Sequence, residues 1–221
     1  MHQSPEAVAA AAAKRVAELL SVTTGRFSLG LAGGSTPEAT YRELRGAAAG
    51  WENVDAWLSD ERWVPPDHGR SNGHMASTAL LDHVDAAFHR PRWSENVAPE
   101  DSAAFYEANL RSIFGGRPPH LVMLGMGDDG HTASLFPGTA ALSERSRWYV
   151  ANSVPQLDED RLTATFPLLW SARLLMILVV GASKAVAVRA SFKRETPAGR
   201  LGDGDAEVEW YVDEDAASLL I

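Results

Sequence analysis

One stretch of the 221 residues concentrates side chains that can do chemistry: Gly125-Met126-Gly127-Asp128-Asp129-Gly130-His131-Thr132-Ala133-Ser134-Leu135-Phe136-Pro137-Gly138. Histidine titrates near neutral pH, so His131 is a candidate general base. Asp129, two residues earlier, is placed either to orient that imidazole or to bind a ligand. The glycines around them, Gly127 included, let the backbone approach a small molecule closely. The apolar run 121–124 reads as a buried strand, which puts this turn at the carboxyl end of a sheet, where open α/β sheets bind their ligands.

Four other segments offer groups for a ligand. A strand over 27–31 runs into Ala32-Gly33-Gly34-Ser35-Thr36-Pro37, with Thr36 as N-cap and Pro37 as the first residue of a helix. Such a strand, turn and helix start make an anion cradle of Gly33, Gly34, Ser35 and Thr36, because amide donors and the positive end of the macrodipole face it. A plain helix entry carries the same sequence. The strand around 56–58 ends in Ser59-Asp60-Glu61-Arg62-Trp63-Val64-Pro65-Pro66, an ordered charged loop from which Asp60 or Arg62 can face a ligand. Taken alone, a solvated cluster with an internal Glu61–Arg62 pair describes that loop better. Ser71-Asn72 offers the cap of a helix reaching about 81, and Asn72 either belongs to the cap or turns inward. Lys184 falls in the first turn of a helix after the apolar run 174–180. There the macrodipole disfavours a cation by roughly 0.3–1 kcal/mol unless an anion compensates, so the lysine either meets a bound phosphate or points to solvent.

The elements that must position these groups alternate along the chain. Helices are expected over 7–20 and 99–115, the latter with Phe105, Leu110, Ile113 and Phe114 as an irregular apolar face. Strands are expected at 148–150, 162–166 and 208–212, with a short helix from there to 221. Residues 199–205 are the one linker-like stretch. This pattern predicts a single α/β domain over 1–221, Rossmann-like and three-layered, with a mainly parallel sheet. A net charge of −9 argues against nucleic-acid and membrane-surface partners. An anionic substrate must then be held by local cations, since screening over roughly 8 Å mutes remote charge. Cysteine is absent, which excludes disulfides and thiolate metal sites. The longest apolar runs are too short to span a bilayer, the alanine-rich start reads as a helix rather than a secretion signal, and a cytoplasmic protein is expected. His68, His74, His83, His89 and His120 carry no motif and read as surface or structural residues.

Five of these segments occur in one order: Gly33-Gly34-Ser35-Thr36-Pro37, Asp60-Glu61-Arg62-Trp63-Val64-Pro65, Ser71-Asn72, the glycine-rich turn, and Gly181 with Lys184-Ala185. In order and spacing they resemble the 6-phosphogluconolactonases, whose fold is shared with aminosugar-phosphate isomerase/deaminases. The resemblance covers nearly the whole chain, and Asp-Gly-His-Thr-Ala-Ser-Leu-Phe-Pro-Gly is its most specific part. It implies hydrolysis of 6-phospho-D-glucono-1,5-lactone in the oxidative pentose phosphate pathway, with no metal or organic cofactor. It also implies His131 as the general base, and Arg62 and Lys184 holding the phosphate beside the 33–36 turn. The implied partner is a phosphorylated sugar lactone, and the implied protein a monomer or small homo-oligomer.

Two departures distinguish the chain from deaminases of similar sequence: Phe136 stands where they carry a glutamate, and Arg62 where they tend to show tyrosine. A phenyl ring cannot move a proton. Asp60 is shared with them, which leaves its role open. Trp170 replaces an asparagine common in lactonases, and Gln156-Leu157-Asp158-Glu159-Asp160 is more acidic than their equivalent stretch. A sugar-phosphate sensor would need an added DNA-binding segment. A nucleotide oxidoreductase would need G-x-G-x-x-G after the first strand, where Gly33-Gly34-Ser35-Thr36 stands instead, and a serine hydrolase would need a G-x-S-x-G elbow, which the chain lacks.

Overall fold

The structure, a computed structural model, describes residues 1–47 and 49–220. Helix α1 (Pro5–Val22) starts where the Ser4 side chain accepts the Ala7 amide, and it buries Val8, Ala12, Val16 and Leu20 at helical spacing. Strands β1 (Phe27–Leu31), β2 (Val54–Leu58), β4 (Ala87–His89), β5 (Leu121–Gly125), β8 (Leu174–Val179) and β9 (Glu207–Val212) form one sheet in the order β4-β2-β1-β5-β8-β9. Every neighbouring pair in it is parallel. The chain builds outward from β1 to β4, then returns to lay β5 on the other side of β1. The strand order therefore reverses between β1 and β5, which places a ligand crevice at their carboxyl ends.

Side chains alternate across the central strands. Leu121, Met123, Leu174, Met176 and Leu178 pack with α1, α2 (Ser35–Ala47) and α3 (Asn72–Ala79). Val122, Leu124, Leu175, Ile177 and Val179 face the opposite core, with α4 (Pro99–Phe114), α5 (Phe166–Ser171), α6 (Ala185–Phe192) and α7 (Glu214–Ala217). Both faces of these strands are thus covered, as their unbroken apolar sequence requires. This is the expected three-layer arrangement.

A second sheet was not expected. Strand β3 (Asp60–Arg62) pairs antiparallel with β7 (Glu159–Ala164), which pairs with β6 (Tyr149–Val154). Asp60, Glu61 and Arg62 are therefore strand residues rather than a charged loop, and Glu61 does not pair with the Arg62 side chain. The ladder Asp60↔Thr163, Glu61↔Leu162, Arg62↔Arg161 supplies the hydrogen bonds, and three residues are too few to show a period of two.

Other boundaries also move. Phe166 opens α5 instead of ending a strand. The helix after β1 begins at Ser35, not beyond Thr36, because Gly34 (φ 107°) makes the turn and its carbonyl accepts the Glu38 amide at 3.0 Å. Phe105 is 56% exposed rather than on the packed face of α4; the Arg92 guanidinium lies over its ring. Residues 198–203 form a 3₁₀ helix that overlaps the stretch read as a linker. The closing helix ends at Ala217, and residue 221 lies outside the described residues.

Candidate active site

An open cleft of about 290 Å³ lies at the β1/β5 switch point. Of the residues singled out from sequence, Gly33, Gly34, Ser35, Thr36, Asp60, Arg62, Asn72, Gly127, His131 and Lys184 all line it. Segments as far apart in sequence as Gly33 and Lys184 thus converge on one small volume. Asp129 does not line the cleft. It stands behind His131 with its Oδ1 2.6 Å from Nδ1, and it also accepts the His131 backbone amide at 3.0 Å. Of the two roles open to it, orienting the imidazole is the one its position serves.

An ionised carboxylate only accepts, so Nδ1 donates in this contact, and in the neutral imidazole Nε2 keeps its lone pair. The ring is held on its face as well. Phe136 stacks on it with centroids 3.8 Å apart and planes 24° from parallel. Ala133 adopts a left-handed backbone (φ 47°), and the Leu135 amide closes a turn on the Thr132 carbonyl at 2.9 Å. This turn carries Phe136 back over His131. Gly127 leaves room for the ring: a Cβ there would sit 2.2 Å from its atoms. Each feature restricts the imidazole to one orientation.

The opposite wall is the start of α2. Its first amides lack carbonyl partners within the helix, and Ser35 and Thr36, which carry them, line the cleft. Pro37, the third helical residue, contributes no donor. The buried Tyr41 hydroxyl fixes the approach, accepting from the Ala32 amide at 2.8 Å and donating to the Ala32 carbonyl at 2.9 Å. Burial pushes the Tyr41 phenol well above its ordinary pKa, so it remains a hydroxyl.

Asp60 and Asn72 tie strand β3 to both walls. Asp60 accepts from Ser134 Oγ at 2.7 Å and from Asn72 Nδ2 at 3.2 Å, so the inward-turned Asn72 is the correct reading. A Cβ on Gly33 would strike the Asn72 side chain at 1.9 Å. Glu61 faces away from the cleft and accepts from the Arg62, Asn72 and Gly73 amides and from Ser71 Oγ at 2.7–2.8 Å. Burial nonetheless pushes its carboxyl above the usual range.

Three cations reach the cleft: Arg62, Lys184 and Arg161, the last not foreseen. Arg161 projects from β7 and pairs with Glu159 at 2.6 Å, and Glu159 also binds Arg70. The acidic 156–160 segment thus engages a cleft arginine directly. The buried Nε atoms of Arg62 and Arg161 have no protein partner. No sequence signal marked Arg161, because strand alternation alone cannot say which cation lies over a crevice. Lys184 precedes α6 in a 3₁₀ turn, and its Nζ meets Asp128 Oδ1 at 2.6 Å. Trp170 lies away from the cleft, donating to the Arg200 carbonyl at 2.9 Å and stacking on Phe166. Among the described residues, no group of three or more His, Asp or Glu side chains is arranged to hold a metal ion, and no helix is long and apolar enough to cross a membrane.

A parallel sheet with this cleft at its switch point defines the class: an open-sheet α/β protein with a ligand crevice at the carboxyl ends of its strands. Residues 3–210 match the family of glucosamine-6-phosphate isomerases/6-phosphogluconolactonase, and the chain belongs to that family. A 6-phosphogluconolactonase of Synechocystis sp. is 38% identical over 209 residues, covering 89% of this chain and 85% of that protein. The structure of 6-phosphogluconolactonase from Trypanosoma brucei superposes with a TM-score of 0.87 at 25% identity, covering all of this chain and 97% of the other. A monomeric glucosamine-6-phosphate deaminase superposes with a TM-score of 0.82 at 25% identity, over 99% and 98% of the two chains. The fold therefore hosts both chemistries, and the residues in the cleft must decide between them.

Proposed function

We propose that this chain hydrolyses 6-phospho-D-glucono-1,5-lactone to 6-phosphogluconate, the step that follows glucose-6-phosphate oxidation in the pentose phosphate pathway. The observation that carries the reading is His131, held by Asp129 with Nε2 free, in the same cleft as Lys184, Arg62 and the start of α2. A lactone carbonyl is already electrophilic, so the enzyme needs a positioned water, a base and stabilisation of the oxyanion, without a covalent nucleophile or a cofactor. His131 Nε2 takes a proton from water as the water oxygen attacks C1. The tetrahedral intermediate collapses with cleavage of the bond from C1 to the ring oxygen, and the imidazolium returns its proton to that oxygen. Asp129 steadies the imidazolium meanwhile. The α2 amides, Arg62 and Lys184 hold the phosphate, with Arg161 as a third cation.

Phe136 argues against the deaminase reaction, which needs a further acid–base group where this chain stacks a phenyl ring on its histidine. Hydrolysis of freshly generated lactone, measured over its spontaneous rate, with glucosamine 6-phosphate deamination in parallel, separates the two. Deamination without lactonase activity overturns the proposal. Replacing the base, His131→Asn, is expected to lower kcat by about 10²- to 10⁴-fold while 6-phosphogluconate still binds; near-normal turnover refutes its role.

A further inference from the structure

The cation expected to await a phosphate already has a counter-anion. Asp128 Oδ1 lies 2.6 Å from Lys184 Nζ, and Ser183 Oγ donates to the same oxygen at 3.3 Å. These are its partners among the described residues: Asp128 accepts no backbone amide and meets no second cation, whereas Asp129 and Glu61 each accept backbone amides. Its side chain is 67% exposed, while that of Lys184 is 24% exposed and lines the cleft. A carboxylate with so little else to hold braces no part of the fold. It sits at the rim and neutralises one cleft cation.

We propose that Asp128 is an internal anion that competes with a ligand's phosphate for Lys184, weakening the hold of the cleft on phosphorylated substrate and product alike. The inference rests on the reading of Lys184 as a phosphate ligand. A phosphate dianion carries more charge and more acceptor oxygens than one carboxylate, so it displaces Asp128 from the ammonium. Seating the phosphate breaks the Asp128–Lys184 pair and leaves two anions side by side at the rim. As the product leaves, Asp128 recaptures Lys184. This matters most for the product, which keeps the phosphate and gains a carboxylate on ring opening.

The test measures inhibition constants of inorganic phosphate and 6-phosphogluconate, together with KM and kcat, on the full chain. Removing the charge in Asp128→Asn is expected to tighten both inhibitors and lower KM by about 2- to 5-fold, the scale of a partly exposed ion pair, with a smaller change in kcat. Asp128→Glu should stay near the wild type. The tightening should vanish in Lys184→Met/Asp128→Asn, which makes the cycle specific to the pair. A distant exposed carboxylate, removed as Asp82→Asn, should have no such effect, since screening hides it. Weaker inhibition in Asp128→Asn would mean that the carboxylate poises Lys184 for phosphate, and it overturns the proposal. So does unchanged inhibition, or tightening that persists without Lys184. If Lys184→Met alone leaves phosphate inhibition untouched, the phosphate role of Lys184 fails, and the competition falls with it.

Discussion

An imidazole serves as a base only if its proton sits on the nitrogen turned away from the reacting water. Asp129 meets that requirement from behind His131, at 2.6 Å from Nδ1, and Phe136 meets the matching requirement that the ring not rotate. The two residues should fail differently. Asp129→Asn can present its amide to Nδ1 and favour the wrong tautomer, so kcat is expected to fall roughly 10- to 10³-fold with little change in KM. A KM effect with kcat intact would instead make Asp129 a ligand of substrate hydroxyls. Phe136→Leu keeps an apolar filler but removes the flat face. Its kcat should drop several-fold while Phe136→Tyr retains most activity, and equal loss in both would point to packing rather than stacking.

At the scale of elements, the short strand β3 works as a strap between the switch-point cleft and the antiparallel sheet. Its alternation sends Asp60 and Arg62 to the cleft and Glu61 to the start of α3. Glu61 supplies the acceptors that the first amides of α3 require. Glu61→Gln sets an amide NH₂ against those donors and is expected to cost about 1–3 kcal/mol of stability, read as a lower denaturant midpoint. Asn72 packs beside the same element, so KM should rise as well. Unchanged stability would show that the cap is dispensable. The cradle on the other wall depends on Gly33 in a different way, since the Asn72 side chain occupies the space a Cβ would need. Strap and cradle are therefore fitted to each other.

Across the whole molecule, a net charge of −9 coexists with a cleft lined by three cations. Carboxylates elsewhere carry the acid sensitivity. Burial would raise the Asp55 carboxyl, but hydrogen bonds from Arg26 and His89 outweigh it and hold the group below its ordinary value. Glu107 is likewise raised by burial and lowered further by the Trp148 amide, Arg147 and Arg111. Both groups bind protons less readily folded than unfolded, so their stabilisation is complete above the unfolded carboxylate range of about 3.9–4.3. It is lost as pH falls through that range toward the folded values. The contribution of these two groups to the urea midpoint should therefore be nearly flat from pH 7 to 5 and decline below about pH 4, and Glu107→Gln should flatten that decline. A midpoint that holds steady down to pH 3 would remove these pairs from the account.

By itself the sequence determined the alternating α/β pattern, the strands over 27–31 and 121–124 and the one read as 174–180, which ends at Val179, and ten residues that line the cleft. Unbroken apolar runs ending in glycine turns are local patterns, and local patterns survive in one dimension. What it could not carry was pairing between distant segments. The antiparallel sheet exists because Asp60–Arg62 meets residues 161–163, Arg161 reaches the cleft through that pairing, and Asp128 finds Lys184 across 55 intervening positions. Tertiary structure also decided between readings the sequence left open, turning Asn72 inward and standing Asp129 behind His131. Hydrogen bonds of about 3 Å depend on where the backbone returns, which only the packed sheet and its switch point set. The turn with Asp129 and His131 was legible from its residues; what Asp128, beside them, does to a phosphate was not.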